Sequence, residues 1–190
     1  MMDTGRLEAF TDGVIAIVIT IMVLDLRVPR GDTPAALLPA VPILLAYALS
    51  YVNVGIFWSN HHHMLQATER VDGRVLWANL FLLFWISLVP FVIRWVDKSG
   101  LTALPTAAYG AVLFLAAACY TMLQWAIIRC NGRSSKLAAA IGSDRKGKLS
   151  LALYGAAMPL AFLAPWVAIV LYVGVAALWF VPDRRIESIL

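Results

Sequence analysis

The chain has 190 residues, of which 62% are hydrophobic and 14% charged, with a formal net charge of +4 and a mean hydropathy of +0.81. A soluble domain carries roughly 45–50% apolar and about 25% charged residues, so this composition excludes an ordinary soluble globule and indicates an all-α integral membrane protein with one domain over 1–190. Nucleic-acid binding is excluded too, because the basic residues are dispersed between apolar runs and form no groove-sized face with aromatic or polar readers.

The first apolar run is closed by carboxylates. Residues 13–24 are uncharged and rich in β-branched side chains, with Asp12 before them and Asp25 after them. As a helix this insert reaches roughly 18 Å against a hydrocarbon core of roughly 30 Å. A span built on it must therefore hold its flanking carboxylates at membrane depth, turned toward protein or water.

Apolar runs between charges predict spans over 7–26, 35–60, 75–93 and 104–128. The last run, 149–181, is too long for one span and contains Pro159 and Pro165, which predicts two short helices turning near 163–165. Pro90 and Pro159 are expected to kink their helices, and 134–141 to form a short interfacial helix with Arg129, Arg133 and Lys136 near lipid phosphates. No secretory signal is expected, since 6–26 lacks a small-residue cleavage site.

Six transmembrane helices place both termini on one side, and charge decides which. With the amino terminus inside, the inner segments hold Arg6, Arg70, Arg74, Arg129, Arg133, Lys136, Arg145, Lys146, Lys148, Arg184 and Arg185. The outer loops hold only Arg27, Arg30, Arg94 and Lys98. A Lys/Arg excess in short loops marks the cytoplasmic side, so the expectation is N-in, C-in, in a multi-pass protein of the cell membrane.

At about 100° per residue, Arg6, Phe10, Gly13, Ile17, Thr20, Ile21 and Leu24 fall on one stripe of the first helix, while Asp12 lies on roughly the opposite face. Spacing alone leaves two readings open. The stripe is either a contact surface for neighbouring helices, with Gly13, Ala16 and Thr20 as small residues, or a functional face with a single hydroxyl.

The run Arg6-Leu7-Glu8-Ala9-Phe10-Thr11-Asp12 at the head of an Ile-rich first helix resembles the signature of the transmembrane protein 175 family, the endosomal and lysosomal potassium channels and their prokaryotic relatives. The family more often has Ser where this chain has Thr11, and the hydroxyl is retained. The likeness continues through 15–24, and Trp58-Ser59-Asn60-His61 resembles the family's Trp-x-x-His element. One six-helix repeat matches the prokaryotic members, whereas animal members carry two.

The resemblance implies a homotetramer with a central pore lined by the first helices. It implies that Ile17 forms the main apolar constriction, Thr20 the pore-facing hydroxyl tied to potassium preference, and Leu24 a further apolar layer. Arg6, Phe10, Thr11, Asp12, Trp58 and His61 are implied as a structural network locking the start of the first helix against the second. Potassium and other monovalent cations are the implied cargo, membrane lipid the surrounding partner, and no cofactor is expected.

A carboxylate at membrane depth costs about 2.5–3.5 kcal/mol on insertion scales, and the hydroxyls, indole, imidazole and guanidinium nearby can supply partners for Asp12. Direct ion binding by Asp12 is the weaker alternative, because it lies away from the stripe. The triple histidine 61–63 is not expected to hold a metal. Consecutive helical residues point about 100° apart, and no cysteine or His at i, i+4 completes a set. One histidine is expected in the network and two at the cytoplasmic interface.

Cys119 and Cys130 lie about three helical turns apart and cannot bridge. Most of the tryptophans fall toward span ends, where indoles anchor at headgroup level, and Asn53 and Asn79 are expected to bridge helices.

No Thr-Val-Gly-Tyr-Gly-like loop offers rings of backbone carbonyls, and no Arg-rich helix offers a voltage sensor. The combined reading is a potassium-preferring, leak-type cation channel and not an enzyme. The alternatives are a secondary transporter, for which inverted repeats and broken helices would be expected, and a membrane-embedded metal-dependent enzyme, which would need a convergent ligand set.

Overall fold

The computed structural model describes residues 4–24, 26, 28–29, 31–132, 134–142 and 144–180; Asp25, Arg27, Arg30, Arg133, Arg184 and Arg185 lie outside the described residues. Every element among the described residues is a helix. α1 covers Thr4–Leu24, a 3₁₀ turn at Pro34–Ala40 leads into α2 at Val41–Gln66, and α3 and α4 cover Gly73–Ser87 and Val89–Ser99. Then follow α5 at Ala103–Asn131, α6 at Lys136–Ile141, α7 at Arg145–Leu163 and α8 at Pro165–Phe180.

Four helical stretches are long and apolar enough to cross a membrane, namely Thr4–Leu24, Pro34–Gln66, Gly73–Ser99 and Ala103–Asn131, and Pro165–Phe180 is a shorter apolar helix. With 21 residues, α1 rises about 32 Å, which matches a bilayer core. The second helix runs to Gln66, beyond the expected end near Asn60, because 61–66 contain neither Gly nor Pro to stop it. The third span is two helices. Pro90 sits in the first turn of α4, and its ring and missing N–H interrupt the ladder near Leu88. α7 continues through Pro159, and the chain reverses at Ala164, which is held extended before Pro165.

Local signals set the other ends. Asp72 Oδ1 accepts from the N–H groups of Arg74 and Val75, both at 3.0 Å, and starts α3. Gly100, at φ +69°, ends α4 in the left-handed region. Ser135 and Asp144 cap α6 and α7.

α5 is the central post. It packs most extensively against α7 and α3 and also meets α4 and α8. Polar side chains tie α2, α5, α7 and α8 together. Ser50 and Tyr109 share a bond at 3.1 Å, Tyr154 donates to Asn53 Oδ1 at 3.3 Å, and Trp179 donates to Ser150 at 2.8 Å. Tyr172 donates to the Thr106 carbonyl at 3.1 Å, in a space that exists only because residue 110 is glycine. A Cβ there would lie 2.0 Å from the Tyr172 oxygen.

At one end, Asn131 Oδ1 accepts from the N–H groups of Glu69 and Arg70, and its Nδ2 donates to the Arg70 and Ile127 carbonyls. This clamps the α2–α3 connection to the end of α5. Cys119 and Cys130 are free thiols, and Trp77, Trp125 and Trp166 are exposed.

Candidate functional site

α1 meets the rest of the subunit along one face only. Leu7, Thr11, Ile15, Val18 and Met22 are buried there against α2, α3 and α4. The stripe expected from periodicity is the face left open. Phe10, Gly13, Ile17, Thr20, Ile21 and Leu24 are all exposed, Ile17 at 59% and Leu24 at 81%. A helix anchored by one edge thus presents a continuous apolar surface with one hydroxyl. Thr20 Oγ1 donates to the Ile17 carbonyl at 2.9 Å, so its proton is spent on the helix and its lone pairs are left outward.

Two polar chains hold α1 from behind. The inner one is fully buried: Asn79 of α3 donates through Nδ2 to Thr11 Oγ1 at 2.9 Å, and its Oδ1 accepts from His61 Nε2 at 2.8 Å. One carboxamide therefore links three helices, and its acceptor oxygen fixes the imidazole proton on Nε2. His61 Nδ1 is buried without a hydrogen-bond partner among the described residues.

The second chain is more open. Trp58 Nε1 donates to Asp12 Oδ1 at 2.8 Å, and the indole stacks on His62 with centroids 6.0 Å apart. His62 donates through Nδ1 to Glu8 Oε1 at 2.6 Å, and its Nε2 accepts from Gln66 at 2.8 Å, a pattern that one neutral tautomer satisfies. Consecutive histidines thus serve different chains because they point about 100° apart on α2.

Of the residues expected in the network, the subunit brings Thr11, Asp12, Trp58 and His61 together. It does not bring Arg6 or Phe10, which lie on the exposed face of α1, Phe10 at 51% exposure. Asn79, read from the sequence as a helix bridge, is the hub of the inner chain. Glu8, His62 and Gln66 were not anticipated. The available signal was a second carboxylate four residues before Asp12, one helical turn away and hence near the same edge. Among the described residues no group of three His, Cys, Asp or Glu side chains converges to hold a metal.

The family model described as Endosomal/lysosomal potassium channel TMEM175 matches residues 6–90, which contain α1 from Arg6 onward, α2, α3 and both polar chains. The chain is similar to a potassium channel of Chryseobacterium sp. (strain P1-3), 49% identical over 187 residues covering 98% of this chain and 97% of the relative. It is also similar to a potassium channel of Streptomyces collinus, 31% identical over 162 residues covering 75% of this chain and 79% of the relative. The fold is that of a lysosomal potassium-selective channel TMEM175 homolog from Chamaesiphon minutus, solved by crystallography, with a TM-score of 0.76 at 24% identity over 95% of this chain and 97% of that one. The 49% identity to the Chryseobacterium channel along nearly the whole of both chains, with the family model resting on the helices that carry the polar chains, means that this protein belongs to the TMEM175 potassium channel family.

Proposed function

We propose that the chain is the subunit of a homotetrameric potassium channel in a prokaryotic cell membrane, with four α1 helices lining a central pore. Membership of a channel family sets aside the transporter and metal-dependent enzyme alternatives. The observation that carries the pore assignment is the open apolar stripe of α1, anchored from behind by the Thr11–Asn79–His61 chain. In a tetramer, four Ile17 side chains form a dry neck that impedes hydrated ions, Leu24 adds a second apolar layer, and potassium and other monovalent cations pass when the neck widens.

The outward lone pairs of Thr20 support a part in selectivity, because four such oxygens replace some of the water an ion gives up beside Ile17. Asp12 belongs to the structural side, since its carboxylate is engaged by Trp58. Arg6 and Phe10, open on the single subunit, complete the network across the subunit boundary. One six-helix domain over 1–190 follows if α7 and α8, about 28 and 24 Å long from 19 and 16 residues, also cross the bilayer. The Lys/Arg bias then puts both termini in the cytoplasm.

Reversal potentials under bi-ionic potassium and sodium test the selectivity claim. Thr20→Val removes the oxygen at nearly constant volume and should shift the reversal potential toward equal permeability, with tetramer assembly intact. An unshifted value means that Thr20 is a packing residue.

A further inference from the structure

On the side of the bundle where α1 and α7 begin and α2 and α5 end, a recess opens between α5, α6 and α7. Its polar lining includes Gln124 and Arg129 from α5 and Lys148 from α7, with Trp125 and Leu151 on its apolar wall. Arg74, at the start of α3, shares the adjoining groove with Trp125 and Arg129. Arg74, Arg129 and Lys148 are exposed and make no ion pair among the described residues. Asp144 also lines the recess, but its Oδ1 accepts from the Gly147 N–H at 3.1 Å and caps α7, so the cations there remain in excess.

A separate observation points to a ligand. Gln124 is only 5% exposed, has no hydrogen-bond partner among the described residues, and lines both this recess and the deeper cavity that reaches Asn53 and Tyr154. Its amide atoms are not sealed within the protein, so the carboxamide is the open part of the side chain and is available to a polar group seated in the recess. Trp125, at 68% exposure, stands where an indole prefers the headgroup layer.

We propose that this recess is a binding site for an anionic phospholipid. Arg129 and Lys148 hold the phosphate, Gln124 donates to a headgroup oxygen, and Arg74 adds long-range attraction. One acyl chain lies along Trp125, Met122 and Ile128. The apolar wall continuing from the basic mouth favours a lipid over a free phosphate, which would leave that wall bare.

Native mass spectrometry of the purified assembly tests the proposal, after equilibration with phosphatidylglycerol or phosphatidylcholine in mixed micelles. Phosphatidylglycerol should be retained in preference to phosphatidylcholine. Arg129→Gln and Lys148→Gln should each weaken retention roughly fivefold, as expected for one basic residue at a lipid surface. Gln124→Leu should weaken it several-fold, and Lys98→Gln, an exposed charge at the end of α4, should leave it unchanged. All four positions lie outside the α1 network, and assembly mass reports the fold of each variant. Equal retention of both lipids, unchanged retention in the Arg129→Gln/Lys148→Gln variant, or complete displacement of phosphatidylglycerol by millimolar inorganic phosphate would overturn the proposal, the last by showing that free phosphate is the ligand.

Discussion

Replacing Asn79 with Leu removes the hub of the inner chain while keeping side-chain volume and apolar character close to the surroundings. Two groups lose their partner at once, Thr11 Oγ1 and the His61 Nε2–H, and both residues are buried at 0% and 1% exposure. An unsatisfied buried polar group costs about 1–3 kcal/mol, whereas interhelical hydrogen bonds in membranes average about 0.6 kcal/mol with a maximum of about 1.7. Because both residues are buried, the upper end of the membrane range applies to each bond, and the summed loss is about 2–4 kcal/mol. Denaturant titration of the channel in mixed micelles, followed by circular dichroism, reads it directly. Thr11→Val alone should cost less, and Thr11→Val combined with Asn79→Leu should cost less than the two together, since the first removes one of the groups that the second strands. A loss below about 0.5 kcal/mol for Asn79→Leu, or strict additivity of the pair, would refute the network as the anchor of α1.

Gly110→Ala places a methyl group against Tyr172, which must swing away from the Thr106 carbonyl; overpacking of this kind costs about 1–3 kcal/mol, readable as a lower melting temperature in detergent. Asn131→Ala releases three hydrogen bonds between α5 and the α2–α3 connection, so limited proteolysis should cut near Glu69–Arg70 faster than in the parent chain, with little change in overall helix content.

The helices were largely legible because hydrophobic runs and their punctuation are local. Pro165 announces the reversal at Ala164, Pro90 a kink at the place where α3 gives way to α4, and the polar stretch after 128 leaves room for the short helix α6. The stripe of α1 was legible for the same reason, as periodicity assigns faces without reference to other segments, but spacing alone left open whether that face meets neighbouring helices, and only the packed subunit shows it exposed. Pairings across helices were not. That Asn79 meets both Thr11 and His61, and that Glu8 meets His62 while Asp12 meets Trp58, depends on where α1 crosses α2 and α3, and no spacing along the chain encodes that crossing. The same holds for Gly110, whose value lies in the approach of a tyrosine from a helix far along the sequence.

Potassium flux through Ile17→Asn bears most directly on a pore lined by α1. Residue 17 is open on the subunit surface, so the substitution leaves the subunit interior untouched, and a polar ring should wet the proposed neck. Val23, also exposed on α1 but turned about 100° from Leu24, supplies the control as Val23→Asn. In liposomes loaded with potassium, Ile17→Asn should raise flux several-fold while Val23→Asn leaves it near the parent rate. A folded, assembled Ile17→Asn channel with unchanged flux would contradict the assignment of α1 as the pore helix and of Ile17 as its constriction.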